Sequence, residues 1–285
     1  MKSGIKFFLR FFGIITVLAV MVAAVVYVKY LRPFFAEMKQ TDQIQLHKNL
    51  RIVTGGGGNS GIYTSHNLVV LIDTKMDEAA MELHAQVEEM AKGKNVVIIN
   101  THNHPDHIGG NALYKKAHII AGNYGKEKWL AEAKAETLPQ EWLKDTMRIA
   151  LDDDTLLVFN LQKNIHTTND VMVYALRRKI LFAGDVILNH QAPVLMGQAD
   201  GDGYLAFFNV LMDKFPIRAI IPGHGSIGGM EILDDFKMYF IDMKKAAQNS
   251  EMEDEIVNKY KNWKQLPWFM SPSATIAHFR KKGLQ

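Results

Sequence analysis

The stretch THNHPDHIGG, Thr101 to Gly110, sets three histidines and an aspartate within six residues, directly behind the apolar run NVVIIN. Such a run reads as a buried strand. In extended backbone, residues two apart point to the same side, so His102 and His104 can meet one ion just past the strand end. Asp106 and His107, after a proline, can face a second ion, and Gly109 and Gly110 permit a tight entry into the next element. Imidazole and carboxylate donors without sulfur suit Zn²⁺, with Mn²⁺ or Fe²⁺ as other occupants. One short motif cannot complete two coordination shells. The chain must therefore fold so that distant segments deliver further ligands to the same sheet edge.

The pattern along the chain supplies such segments. NLVVLIDT (Asn67 to Thr74) reads as a buried strand, and Asp77 to Lys92 follows with helical spacing at Ala80, Leu83, Val87 and Met90. With NVVIIN this makes a strand–helix–strand unit whose second strand ends at the histidine motif. HIIAG, TLLVFNLQ, DVMVYALRRKILFAGD and AIIPGHG read as further strands, with Arg177, Arg178 and Lys179 as a solvated hairpin tip. Gly125–Glu136, Gln140–Thr146, Ile232–Ala247 and Met252–Trp263 read as helices. No internal repeat appears, and residues 48–285 fit one α/β domain with mixed sheets. Three isolated candidates stand just after or beside the later strands: His166, Asp185 and His224.

In order and spacing, residues 48–230 resemble the metallo-β-lactamase-fold hydrolases, whose signature is H-x-H-x-D-H, then a lone His, an Asp in a GD turn and a final His in a GH turn. The resemblance implies a four-layer αββα sandwich with two metals at one edge. His102, His104 and His166 would bind one, Asp106, His107 and His224 the other, with Asp185 bridging them and Asp73 behind the ligands as a buried support. Class B β-lactamases usually carry Cys or Ser where this chain has Asp185, whereas glyoxalase II, lactonases and other esterase-like members use the bridging aspartate. GGGGNSGIY, GDVILNHQAPVLMGQADGDGYLAFFNVL and WKQLPWF…IAHFRKKG look most like the exported branch called quinoprotein-relay or sulfur-oxidation-associated metallohydrolases. One position departs from the pattern: Ile165 precedes His166 where the family commonly has Gly, which a side chain tolerates only outside the left-handed region.

The N-terminus imposes a second constraint. Phe11 to Val28 is eighteen residues without a charge, about 27 Å as a helix and close to the thickness of a bilayer's hydrocarbon core. A cleaved secretory signal shares these features, but YVKYLRPFF lacks a small-residue cleavage region, so an uncleaved signal-anchor is expected. The reading is a basic cytoplasmic end at 1–10, a transmembrane anchor at 11–30, a connector at 31–47 that is partly helical, and a catalytic domain at 48–285. Lys2, Lys6 and Arg10 place the N-terminus in the cytoplasm by the positive-inside rule, and so the domain outside it, or secreted or periplasmic if the segment is cleaved. The formal charge of +3 is local to this end: residues 1–35 hold five Lys/Arg and no acid, and the remaining 28 basic residues fall two short of the 30 acidic ones. No nucleic-acid partner is expected of such a domain. With no cysteine in the chain, disulfides, thiolate ligands and a Cys nucleophile are excluded.

The expected activity is hydrolysis of an ester, thioester, lactone or related amide bond in a small substrate. A hydroxide shared by two Zn²⁺ is the expected nucleophile, oriented by Asp106 and Asp185. The alternatives are a phosphodiesterase on the same fold, and an iron-containing oxidoreductase or non-catalytic metal-binding protein. The loop from Ile187 to Tyr204 is expected to line the pocket through His190 and Met196. DGDG at 200–203 lacks the ligand positions of a calcium loop and reads as a turn. The other histidines, His47, His66, His84, His118 and His278, carry no assigned role.

Overall fold

The computed structural model describes residues 2–195, 199–266 and 268–283. Met196 lies outside the described residues. A helix α1 (Lys2–Val26) continues through a five-residue π-helical stretch, Tyr27–Leu31, into α2 (Arg32–Glu37). The part from Phe11 to Glu37 is long and apolar enough, by length and composition, to cross a membrane.

Seven strands follow as the first sheet, paired in chain order: β1 (Thr41–His47), β2 (Leu50–Gly55), β3 (Ser60–Thr64), β4 (Leu68–Ile72), β5 (Asn95–Ile99), β6 (His118–Gly122) and β7 (Glu141–Leu143). The first four pair antiparallel, and the last three join in parallel. Helix α3 (Asp77–Met90) crosses from β4 to β5, the one-turn helix α4 (Pro105–Ile108) leads from β5 towards β6, and α5 (Lys126–Glu132) follows β6. The second sheet runs β12–β11–β10–β9–β8 and comprises β8 (Thr146–Ala150), β9 (Thr155–Asn160), β10 (Val171–Ala175), β11 (Ile180–Gly184) and β12 (Ala219–Pro222). Helix α6 (Gly201–Lys214) precedes β12, and α7 (Met230–Gln248), α8 (Glu253–Lys259) and α9 (Pro272–Gly283) close the chain.

Alternation along the strands builds the layers, because successive side chains leave a strand on opposite faces. Val70, Ile72, Ile99 and Ile120 of the first sheet meet Val171, Val173, Ile180, Phe182 and Ile221 of the second in the central core. The residues between them face outward: Val69, Leu71 and Ile98 pack under Leu83 and Val87 of α3, while Met172, Tyr174, Leu181 and Ile220 pack under Tyr204, Phe208, Phe236 and Phe240 of α6 and α7. Two sheets with helices on both outer faces make the expected αββα sandwich.

Four segments differ from their sequence reading. Gln140–Thr146, expected to be helical, contributes the short strand β7, because Trp142 turns edge-on to the buried Trp129 and Glu141 pairs with His118 across the parallel ladder. The polar connector holds a strand, β1, which adds to β2 as an exposed edge, where polar side chains are at home. Arg178, read as part of a solvated tip, is instead paired with Asp154, whose side chain is fully buried. The DGDG turn starts α6: Asp200 accepts a hydrogen bond from the Asp202 N–H and caps the helix.

Candidate metal centre

All the ligand candidates sit where strands end on one edge of the sandwich. From the end of β5 the chain runs through Asn100 and Thr101 to His102 and His104, and α4 then presents Asp106 and His107. The parallel neighbours β11 and β12 stop side by side, which brings Asp185 next to His224. Gly223 is required there, because a Cβ would lie 2.0 Å from the Asp185 Oδ1. His166 comes from the loop between β9 and β10. The Asp170 carboxylate holds that loop, accepting from the backbone N–H groups of His166 (3.0 Å) and Thr167 (2.9 Å). The fully buried Ile165 is an anchor in the helix-side core, and it is not among the residues with positive φ, so the missing glycine costs the backbone nothing.

Two groups of side chains result. The ligand atoms of His102, His104, His166 and Asp185 all lie within 4.8 Å of one another, and so do those of Asp106, His107 and His224. Asp185 spans the two. Its Oδ2 is 3.5 Å from His166 Nε2, while its Oδ1 is 3.2 Å from His107 Nε2 and 3.4 Å from His224 Nε2. Asp106 Oδ2 lies 3.1 Å from His224 Nε2.

Behind these groups, Asp73 occupies a strained position (φ 59°) at the end of β4. Its Oδ1 accepts from the Thr101 N–H at 2.7 Å, and its Oδ2 accepts from both the Thr101 hydroxyl and His107 Nδ1 at 2.7 Å. With its proton given to Asp73, the Thr101 oxygen accepts from His102 Nδ1 at 3.1 Å. One carboxylate thereby fixes the Nδ1 side of an imidazole in each group and leaves both Nε2 atoms facing the centre. Those two nitrogens, together with Asp185 Oδ1, are buried without a hydrogen-bond partner. Convergent buried lone pairs on nitrogen and oxygen are costly unless something electropositive meets them, and this donor set fits divalent cations such as zinc.

The electrostatics distinguish the histidines: burial disfavours charge on His107, yet Asp185, Asp73 and Asp106 lift it well above the ordinary histidine range, so a cation entering that group must displace its Nε2 proton. Burial, reinforced by neighbouring histidines, holds His102 well below the ordinary histidine range and His166 at about 3, so both are neutral lone-pair donors. Burial alone would raise Asp185 and Asp106, but His224 and His107 beside Asp185, and His107 and His224 beside Asp106, outweigh it and keep both carboxyls well below the carboxylate range. Conversely, burial disfavours charge on His224, yet Asp185 and Asp106 lift it to about 9. The same two carboxylates attract any cation that enters.

Two features were not legible in the sequence as parts of the site. Thr101 is one. The other is Lys75, fully buried, whose ammonium donates to the carbonyls of Gly55 and Gly58 (2.6 Å for the latter) and pins the tetraglycine segment over Asp106 and His107. Gly58 lies flat on the His107 ring, where a Cβ would come within 2.3 Å of Cε1. A charged residue immediately after the apolar VVLIDT run was the available signal. Above the centre opens a cleft of about 1140 Å³, with His104, Asp106, His166, Asp185 and His224 on its floor. His190 lines its wall, exposed and edge-on to Trp263, with Nε2 3.7 Å from Asp235.

Comparison with known proteins agrees with this architecture. The family model of the metallo-β-lactamase superfamily matches residues 53–224. A metallo-β-lactamase type 2 of Bacteroides fragilis is 26% identical over 204 residues, 69% of this chain and 82% of that protein. One from Bacillus cereus is 27% identical over 201 residues, 66% of this chain and 78% of that protein. Among solved structures, a metallo-β-lactamase from Pontibacter korlensis superposes with a TM-score of 0.62 at 21% identity, covering 71% of this chain and 100% of that one. A double mutant of the sec-alkyl sulfatase PisA1 gives a TM-score of 0.66 at 15% identity over 86% of this chain and 50% of that one. The two structural likenesses establish the fold; the family match, over more than half of the chain, establishes that it belongs to the metallo-β-lactamase superfamily of metal-dependent hydrolases.

Proposed function

We propose that the chain is a dinuclear, zinc-dependent hydrolase of ester, thioester, lactone or related amide bonds in small substrates. In this reading His102, His104 and His166 hold one ion, Asp106, His107 and His224 hold the other, and Asp185 serves both. The observation that carries it is the Asp185 carboxylate, one oxygen towards each group. A pair of divalent ions supplies a water ionised near neutral pH and a Lewis acid for the developing oxyanion. The chain's own residues do the rest. Asp106 and Asp185, held ionised, accept hydrogen bonds from the attacking water and orient it towards the carbonyl carbon. Asp106, with 20% of its side chain exposed on the cleft floor against 11% for Asp185, is the group placed to carry the released proton to the leaving group. Asp73 and Thr101 keep His107 and His102 as lone-pair donors throughout.

The similarity to curated metallo-β-lactamases makes β-lactams a necessary comparison, while the aspartate at 185 favours acyl esters and lactones over them. The uncharged span Phe11–Val28 serves as an uncleaved anchor with the catalytic domain on the far side of the membrane from Lys2, Lys6 and Arg10. The test is turnover by the zinc-loaded full chain on an ester, a thioester, a lactone, a β-lactam and a phosphodiester. Hydrolysis of one acyl class is expected. Turnover of the phosphodiester alone, or of nothing by fully metal-loaded protein, would overturn the reading.

A further inference from the structure

The cleft does not end at the metal centre. Its walls run from Asp185 and His104 past Val194, Phe269 and Met270 to Phe34 of α2 and Met38 just beyond its end. The helix is docked there: Tyr30, Leu31 and Phe34 pack on the helix-side core, Lys264 pairs with Glu37 at 2.9 Å, and the same ammonium sits 5.1 Å over the Phe34 ring. The helix that is apolar enough to cross a bilayer thus forms part of the substrate cleft.

The height of this junction above a membrane follows from helix geometry. Tyr30 is two residues beyond the uncharged span and Phe34 six, so about 3 Å and about 9 Å along the axis. The headgroup region adds roughly 5–8 Å on each side of the hydrocarbon core. Tyr30, which packs on the domain, therefore lies at headgroup level with Lys29 and Arg32 beside the lipid phosphates, and the cleft lining that starts at Phe34 stands at the outer boundary of that layer. Large apolar side chains are exposed on the adjoining segments: Phe269 of the cleft lining is 41% exposed, Phe35 beside Phe34 52%, and Trp268 69%, tryptophan being a residue enriched at membrane interfaces.

We infer that the substrate is an amphiphile drawn from the membrane leaflet: an ester or lactone whose acyl chain lies along Phe34, Met38, Val194, Phe269 and Met270 with its carbonyl over Asp185. Water adds to that carbonyl and the acyl carbon–oxygen bond breaks; an ester releases a fatty acid and an alcohol, a lactone opens to one hydroxy fatty acid. This rests on the hydrolase reading above and on the helix remaining attached.

The experiment uses the zinc-loaded full chain in phosphatidylcholine vesicles and has two arms. In the first, tryptophan emission is recorded with and without lipids brominated near the headgroup end of the acyl chains, for the native chain and for Trp268→Phe. Quenching that disappears in the variant is expected. In the second, p-nitrophenyl butyrate is compared with p-nitrophenyl decanoate, or the corresponding lactones or thioesters if the substrate panel selects those. A rise in kcat/KM of at least about tenfold with chain length is expected, because each further methylene removed from water adds to binding. Phe269→Ser should cut the decanoate-to-butyrate ratio several-fold, a comparison made within one variant and so insensitive to how much of it folds. Turnover with a flat chain-length profile and no Trp268 quenching would refute the inference and leave the hydrolase reading standing. Quenching of Trp268 with no turnover of any acyl compound would refute the hydrolase reading and, with it, the proposed substrate.

Discussion

Asp73→Asn isolates what the buried carboxylate does for the metal centre. The substitution keeps size, and asparagine tolerates the positive φ of 59° at this position, so the backbone has no reason to move. The hydrogen bonds cannot all survive. If the amide oxygen keeps the Thr101 N–H, the NH₂ faces His107 Nδ1, and His107 must accept there and keep its proton on Nε2, aimed at Asp185 and Asp106 where a metal would need a lone pair. If the amide is reversed, its NH₂ meets the Thr101 N–H, donor against donor in a fully buried place. That alone costs about 1–3 kcal/mol. Loss of a carboxylate behind a metal-ligating histidine lowers metal affinity by about 10–100-fold, which is about 1.4–2.8 kcal/mol. Zinc affinities measured by competition with a chromophoric chelator should therefore show one of two binding steps weakened by that factor. The step involving His102, reached only through the Thr101 hydroxyl, should weaken less. Two unchanged affinities in a folded Asp73→Asn chain would refute the reasoning.

Asp185→Ala removes the one carboxylate shared by both groups, and should lower turnover at least about a hundredfold and bound zinc from two ions to one, read by metal analysis and the substrate panel. Gly58→Ala places a methyl carbon 2.3 Å from His107 Cε1 and must displace that ring; weaker binding of one zinc, with the other retained, is expected by the same chelator competition. Burial pulls Lys75 down to about 7 from its ordinary value, so the folded chain binds fewer protons than the unfolded one between these limits. Stability should accordingly rise with pH from about 7 to about 10, by up to about 1.4 kcal/mol per unit, with the full cost present below 7. Urea denaturation across this range should show the slope, and Lys75→Met should flatten it.

The parts of the fold that were legible are those whose pattern is local. Buried strands such as β4, β5 and β10 carry short apolar runs, and α3 and α7 carry a helical stripe, so sequence spacing alone places them. β7 was misread because nothing in EWL marks a strand until β6 is beside it and Trp129 is there to receive Trp142. β1 has polar composition because it is an edge, and edge strands are the ones a hydrophobic pattern cannot reveal. Much the same divides the site. The ligand types and their strand-end positions stand in the sequence, whereas Thr101 and Lys75 act through hydrogen bonds to Asp73 and to a glycine segment about twenty residues away, contacts that exist only once β2, β4 and β5 are side by side.

The central claim is that the two groups of ligands hold two ions around Asp185 and that hydrolysis depends on both. Its most direct test is turnover of the preferred acyl substrate as zinc is returned, one equivalent at a time, to chain stripped by a chelator. The account predicts activity that keeps rising to the second equivalent and then stops. Full activity in the stripped chain, or a plateau reached at one equivalent with no second ion bound, would contradict it.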